Sequence, residues 1–145
     1  MNERIFHDLN CECMRAIIRR KEHLYRIDYY RDKNGKCEFE EYLNKLINAA
    51  KTSKTARIRY NTIERYLRYL KEFGTSDLPA DYAKLITDNI WELRPDRQRI
   101  FYFFYKDDTY VLLHHFEKKS QKTPRREIEK AIRERNDYVK RNEKI

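Results

Sequence analysis

Three strand-like segments follow one another in the second half of the chain, with only short links between them. They cover residues 90–94, 99–105 and 110–116, and each is rich in aromatic and aliphatic side chains. Parallel strands need a crossover of about a dozen residues or more, so strands joined this closely pair as antiparallel hairpins. A shorter strand around 84–86 precedes them. The sequence therefore predicts an antiparallel meander of three or four strands.

Helical periodicity flanks this meander. Apolar residues recur at helical spacing over 39–50 and 58–73, and Gly74 is suited to end the second helix. A last helix is predicted after Thr123, which we expect to cap it, with Pro124 at its first position. Helices before and after an antiparallel sheet are typical of the α+β class, so we predict a small antiparallel sheet packed by helices.

The start of the chain adds one more helix and one more strand. Residues 4–20 place apolar side chains on one helical face, which predicts an extra N-terminal helix. Residues 24–30 alternate as a strand that ends at the Asn34-Gly35 turn. We therefore expect a helical extension over 1–22, followed by a single globular domain over 23–145.

The charge of the chain limits its partners. Lys and Arg number 33 against 24 Asp and Glu, and the net charge of +9 favours nucleic acid, an anionic membrane surface or an acidic protein. No apolar run approaches the roughly 20 residues of a membrane helix, so we expect no membrane partner. The first residues are charged throughout, unlike a secretory signal, and the cysteines are odd in number. We therefore expect reduced thiols and a cytoplasmic location.

We expect neither a metal nor a cofactor. Cys11 and Cys13 are separated by a single residue, which does not fit the usual C-x₂₋₄-C spacing of zinc sites. The chain contains two glycines in total, too few for a glycine-rich loop that cradles phosphate.

Basic residues gather around the predicted hairpins. Those that flank the first link or directly follow the last strand are Arg94, Arg97, Arg99, Lys118, Lys119 and Lys122. In a meander these segments converge, and such a cluster would bind a phosphate backbone and stabilise the charge of a phosphorane. The alternative is a rim of solvated side chains.

Adjacent histidines and several tyrosines are further candidates. His114 and His115 fall on opposite faces of the last strand, and an imidazole beside arginines suits acid–base work on a ribose 2′-OH or a leaving 5′-oxygen. Tyr102, Tyr105 and Tyr110 would stack on bases. The alternatives are a packed histidine and tyrosines that belong to the core.

Two stretches of the sequence resemble the HigB-like, phage-related group of the RelE/ParE toxins. Residues 90–94 (IWELR), followed by 99–104 (RIFYFF), are similar to that group's ELR motif and to the arginine-containing strand after it. Residues 111–131 (VLLHHFEKKSQKTPRREIEKA) resemble the group's signature almost position for position. The resemblance covers about 24–138 and leaves the N-terminal extension outside.

The resemblance implies a RelE/ParE-like fold and the toxin of a type II toxin–antitoxin system. Such a toxin is a ribosome-dependent mRNA endoribonuclease that inhibits translation by 2′-OH attack without a metal. Its implied partners are the ribosome, mRNA and a cognate antitoxin, which is usually a helix-turn-helix protein. The toxin would contact operator DNA only through this antitoxin. The positions that match the family's site residues are Lys84, Arg94, Arg99, His114, Lys118 and Lys119.

On this basis we assign roles to individual residues. The predicted catalytic residues are Arg94, Arg99, His114 and Lys119. The predicted RNA-binding residues are Lys84, Arg97, Lys118 and Lys122. The general base stays open between a lysine and His114, and His115 stands where the family usually has glycine. Two other functions stay open. One is a ParE-like inhibitor of gyrase, and the other is a non-catalytic prophage relative that acts with its antitoxin as a DNA-bound repressor.

Overall fold

The computed structural model describes residues 24–143, so the predicted N-terminal helix lies outside the described residues. Three α-helices and five strands make up the described part and confirm the α+β class. In chain order they are β1 (Arg26–Tyr29), α1 (Glu38–Ala49), α2 (Lys54–Phe73), a short 3₁₀ helix (Thr75–Asp77), β2 (Ala83–Thr87), β3 (Ile90–Leu93), β4 (Gln98–Phe104), β5 (Thr109–Glu117) and α3 (Arg125–Asn142).

The strands form one sheet in the order β1-β5-β4-β3-β2. Strands β2 to β5 pair antiparallel with their neighbours, which confirms the predicted meander. Strand β1 pairs parallel with β5, and the prediction from the sequence gives this strand no partner or direction. The chain passes through α1, α2 and β2 to β4 between β1 and β5, and this long connection permits a parallel pair.

Both faces of the sheet are covered by helices. Helices α1 and α2 pack on one face, against side chains that include Leu93, Ile100 and Leu112. Helix α3 packs on the other face with Ala131 and Tyr138; the sheet residues buried on that side are Ile90, Phe101, Phe103, Val111 and Leu113. Because the central strands are buried on both sides, functional side chains must lie at the ends and edges of the sheet.

A β-bulge decides which face each histidine occupies. In the β4–β5 ladder, Ile100 pairs with His115 and Tyr102 pairs with Leu112, so two β5 residues lie opposite Phe101. The extra residue puts His114 on the α3 face beside Leu113, and it puts His115 on the α1 face. The predicted placement on opposite faces is confirmed, and simple alternation along β5 would have exchanged the two sides.

The helix ends follow local chemistry. The Ser53 hydroxyl accepts a hydrogen bond from the Ala56 N–H and caps α2. Gly74 ends α2 with φ +73, where an added Cβ would lie 2.7 Å from the Tyr25 ring. The predicted cap at Thr123 was wrong: Pro124 occupies the N-cap position of α3, and the Thr123 hydroxyl donates to Glu92 instead.

Within residues 24–143, no helix is both long enough and apolar enough to cross a bilayer.

Candidate active site

Basic side chains surround a narrow cleft at one end of β3 and β4. We call it the basic cleft, and its charged lining residues are Glu92, Arg94, Arg99, Lys118, Lys119 and Lys122. Strand β3 ends just before Arg94, β4 begins just before Arg99, and the segment after β5 folds back across both strands. The Lys118 N–H donates to the Arg97 carbonyl at 2.7 Å, which fixes that segment over the β3–β4 turn.

The floor of the basic cleft is a buried carboxylate. Glu92 is 1% exposed. Its Oε2 lies 3.5 Å from Arg94 Nε and 3.9 Å from Arg99 Nε, and its Oε1 accepts a hydrogen bond from Thr123 at 3.1 Å. A buried carboxylate is costly without cations and donors around it, so Glu92 and the two arginines hold one another in place.

The two arginines of the cleft differ in how far the protein already satisfies them. Arg99 is 7% exposed, and its Nη1 donates to the carbonyls of Asp96 at 2.7 Å and Gln98 at 2.8 Å. Burial lowers the pKa of Arg99, although Glu92 opposes that shift. Arg99 therefore braces the β3–β4 turn more than it offers its charge to a ligand.

Arg94 keeps more of its hydrogen-bonding capacity. Its side chain is 28% exposed, and its buried Nε has no hydrogen-bond partner within residues 24–143. Its backbone N–H donates to the Tyr82 carbonyl at 2.9 Å, which fixes the end of β3 beside the chain that enters β2. Arg94 thus combines a fixed backbone with a guanidinium that an anion can still approach.

The lysines lie around this arginine. Lys118 is half-buried, and Lys119 and Lys122 are exposed on the loop before α3. The Ser120 hydroxyl donates to the Lys122 carbonyl at 3.0 Å, which bends this loop. The structure therefore brings together Arg94, Arg99, Lys118, Lys119 and Lys122 from the sequence prediction.

Two further predicted RNA-binding residues lie next to the cleft but do not line it. Lys84 is exposed on the edge strand β2 and pairs in register with Glu92, so the two side chains project from the same face of the sheet. Arg97 is exposed in the β3–β4 turn and contributes its backbone carbonyl to Lys118. Both add positive charge at the approach to the cleft.

The structure does not place His114 in the basic cleft. It is 1% exposed beneath α3, with Nε2 2.8 Å from a Glu127 oxygen and Nδ1 hydrogen-bonded to Glu134. Both ring nitrogens are thus bound to carboxylates of α3. We call these three residues the His114 cluster.

The other histidine is a packed residue of the α1 face. The His115 ring stacks on Tyr42, with 3.9 Å between the ring centroids, and also contacts Phe39. Burial, helped by the nearby His114, lowers the pKa of His115 to about 4. His115 is therefore neutral near pH 7.

The tyrosines of the hairpin belong to the core and not to the cleft. Tyr102 is fully buried and its hydroxyl is 2.9 Å from Thr75 Oγ1, while the buried Tyr110 hydroxyl accepts a bond from the Thr75 N–H. Tyr105 packs edge-on against Phe103 and Tyr138. Of the two interpretations of these rings, core packing is confirmed.

Sequence reasoning missed Glu92 as part of the site. A signal for it is present: Glu92 is the sole charged residue of a four-residue strand, Ile90–Leu93, and it lies two residues before Arg94. A charge in a short apolar strand requires a partner if the strand is central, because a buried carboxylate is rarely left unpaired.

Comparison with known proteins identifies the family of this chain. A family model described as "Phage derived protein Gp49-like (DUF891)" matches residues 50–136. The match covers more than half of the chain and includes every residue of the basic cleft. No curated protein matches the sequence. The chain therefore belongs to the phage-derived Gp49-like family, a group of RelE- and HigB-like toxins.

Proposed function

We propose that this protein is the toxin of a type II toxin–antitoxin system and that it cleaves mRNA on the ribosome without a metal. The observation that carries the proposal is Arg94, a partly exposed guanidinium held on a buried carboxylate at the centre of a lysine-lined cleft. Such an arrangement suits a group that carries negative charge and gains more of it during reaction.

The proposed reaction is an internal transesterification. The ribose 2′-OH gives its proton to water and its oxygen bonds to the adjacent phosphorus, while the bond from phosphorus to the 5′-oxygen breaks and that oxygen takes a proton from Lys119. Arg94 stabilises the added charge of the phosphorane, and Arg99 positions Arg94 through Glu92. The products are a 2′,3′-cyclic phosphate and a 5′-hydroxyl end.

Lysines of the loop complete the proposed site. Lys118 and Lys122 bind the phosphate backbone, with Lys84 and Arg97 adding charge at the approach. Lys119 is exposed in the cleft and donates a proton to the leaving 5′-oxygen. Because both ring nitrogens of His114 are bound to carboxylates of α3, we give this histidine a positioning role for α3 and the loop that precedes it.

We further propose that a cognate antitoxin masks the basic cleft with an acidic segment, which its surplus of cations would attract. A helix-turn-helix antitoxin would then carry the toxin to operator DNA. Assignment to the HigB subgroup belongs to the same proposal and rests on the motifs at 90–104 and 111–131.

The test is cleavage of a defined mRNA on translating ribosomes by the purified protein. We expect fragments with 5′-hydroxyl and 2′,3′-cyclic phosphate ends, and no cleavage when the nucleotide at the cut site carries a single 2′-deoxy substitution. The same mRNA without the substitution is the matched control. Intact mRNA together with blocked DNA gyrase and stalled replication would overturn the proposal and support the ParE-like alternative.

A further inference from the structure

A second groove adjoins the basic cleft on the other side of the arginine pair. It lies between α2 and the ends of β3 and β4 and has a volume of about 560 Å³. We call it the α2 groove, and its charged lining residues are Arg59, Arg65, Asp81, Arg94, Asp96 and Arg99. Arg94 and Arg99 border both the α2 groove and the basic cleft, so the two form one continuous track.

The charge of the α2 groove favours an anionic ligand. Four arginines face two aspartates, and both aspartates are exposed residues, at 81 and 96. Arg59 and Arg65 flank Thr62 on α2, and the helical rise separates them by about 9 Å. Successive phosphates of a stacked strand are about 3.4 Å apart along its axis, so the two arginines can hold different phosphates of one strand.

The groove also offers an apolar contact. Ile58 lines it and is 55% exposed, so its side chain is open to a ligand in the groove. A nucleotide has the flat face of its base close to its phosphate, and that face can pack on an aliphatic side chain, whereas an acidic peptide side chain has only a short aliphatic stem. The combination of Arg forks with an exposed aliphatic wall therefore favours RNA over an acidic polypeptide.

Arg94 joins the two regions. Its buried Nε has no hydrogen bond within residues 24–143 and only the ion pair with Glu92, and its guanidinium is reached from the basic cleft and from the α2 groove. If Arg94 binds one phosphate of the strand, the nucleotides that follow on one side of that phosphate would lie in the α2 groove.

We propose that the α2 groove binds the single-stranded RNA next to the phosphate held by Arg94, with Arg59 and Arg65 contacting its backbone. The inference rests on the proposed function for the identity of the RNA as mRNA. The proposal places part of the substrate site on helix α2, whereas the sequence motifs pointed only to the hairpins.

The test measures binding rather than cleavage. The probe is a fluorescent, fully 2′-O-methylated single-stranded RNA of twelve nucleotides, which 2′-OH chemistry cannot cut, titrated with full-length protein at several salt concentrations. Each phosphate contact contributes about 0.7 to the slope of log affinity against log salt for single strands. Arg59→Ala/Arg65→Ala should therefore make this salt dependence less steep, by about 1.4 in the slope, and should weaken binding roughly tenfold.

The matched control removes the same charge elsewhere. Lys33→Ala/Lys45→Ala removes two exposed cations that do not line the groove, and its slope should stay near that of the unaltered protein. Arg59→Lys/Arg65→Lys should keep most of the slope, because the charges remain. If the double alanine variant does not fold, each single variant should lower the slope by about 0.7.

Three outcomes would overturn the inference. The unaltered protein fails to bind the RNA, the groove variant keeps the slope of the control, or poly-glutamate of equal charge binds more tightly than the RNA through the same arginines. The last result would assign the groove to an acidic protein. If binding behaves as expected and mRNA on ribosomes stays intact, the proposed function fails and the groove assignment stands.

Discussion

The basic cleft and the His114 cluster are built from the same kinds of charged groups in opposite proportions. In the cleft, a single buried carboxylate on Glu92 meets Arg94 and Arg99, with lysines beyond them. In the His114 cluster, one imidazole meets two carboxylates, on Glu127 and Glu134. The cleft is left with cations that an external anion can use, whereas the histidine has no ring nitrogen left for a substrate.

This difference separates binding chemistry from assembly. A cluster in which every polar group has a partner holds two elements together, here β5 and α3. A cluster with surplus charge costs stability until a ligand neutralises it, so its presence indicates a functional surface. The residue types alone would have suggested the reverse, since histidine is the more familiar acid–base group.

The largest expected effect on stability comes from the floor of the cleft. Glu92→Ala leaves two arginine charges near each other without the buried carboxylate, which should lower the free energy of unfolding by about 3–5 kcal/mol. Urea denaturation measures the loss. A variant as stable as the unaltered protein would show that Glu92 does not hold the arginines.

The next effect concerns His115 and depends on pH. Its pKa is about 4 in the folded protein against an ordinary 6.5, so the unfolded chain binds the proton more readily between these values. This contribution to stability is complete above pH 6.5 and falls by about 3 kcal/mol as the pH drops to 4. His115→Phe keeps a ring on Tyr42 and should lose that part of the pH dependence.

The comparison needs urea denaturation of both proteins at pH 7 and pH 4. The groups around His115, which include His114, Glu38, Glu127 and Lys130, are present in both proteins, so their contributions largely cancel. An equal loss of stability in the two proteins between pH 7 and pH 4 would contradict the burial argument for His115.

His114→Leu should have a somewhat smaller effect. It removes the common partner of Glu127 and Glu134 beneath α3, and the loss of hydrogen bonds to these two half-buried carboxylates should destabilise the fold by about 2 kcal/mol. Thermal and urea unfolding give the value, and His114→Gln, which can still hydrogen-bond, is the matched control. A fully stable His114→Leu protein would remove the distinction between the two clusters.

The smallest effect concerns Thr123. Thr123→Val removes the hydroxyl that donates to Glu92 and should cost about 1 kcal/mol. A double-mutant cycle with Glu92→Ala, which removes the acceptor, separates this bond from a capping role, because only the bond couples the two sites. Additivity within about 0.3 kcal/mol would contradict the bond as a source of stability.

The sequence was sufficient for the parts of the fold that depend on local rules. The short links at 95–98 and 106–109 predict hairpins, and Gly74 predicts the end of α2, because sterics and chain length decide both. The parallel pairing of β1 depends on where a distant strand finds its partner, and nothing in residues 24–30 encodes the direction of β5.

The candidate site was predicted in part for the same reason. The basic residues of the cleft are close in sequence to the strand ends, so their convergence follows from the meander. The β5 bulge, the ion pair of Arg99 with Glu92 and the pairing of Glu92 with Thr123 depend on side chains that meet across elements. His114 was misleading because the α3 carboxylates that bind it lie 13 and 20 residues away in the chain.

The most direct test of the account compares Arg94 with His114 in one assay. The measurement is the single-turnover rate of mRNA cleavage on programmed ribosomes, normalised to the folded fraction of each protein. We expect Arg94→Ala to lose about 100-fold or more. His114→Gln should stay within about threefold of the unaltered protein, as expected of a positioning residue. Two results would contradict the assignment of the chemistry to the basic cleft. One is an Arg94→Ala protein that cleaves as fast as the unaltered protein, and the other is a His114→Gln protein whose rate falls by as much as that expected for Arg94→Ala.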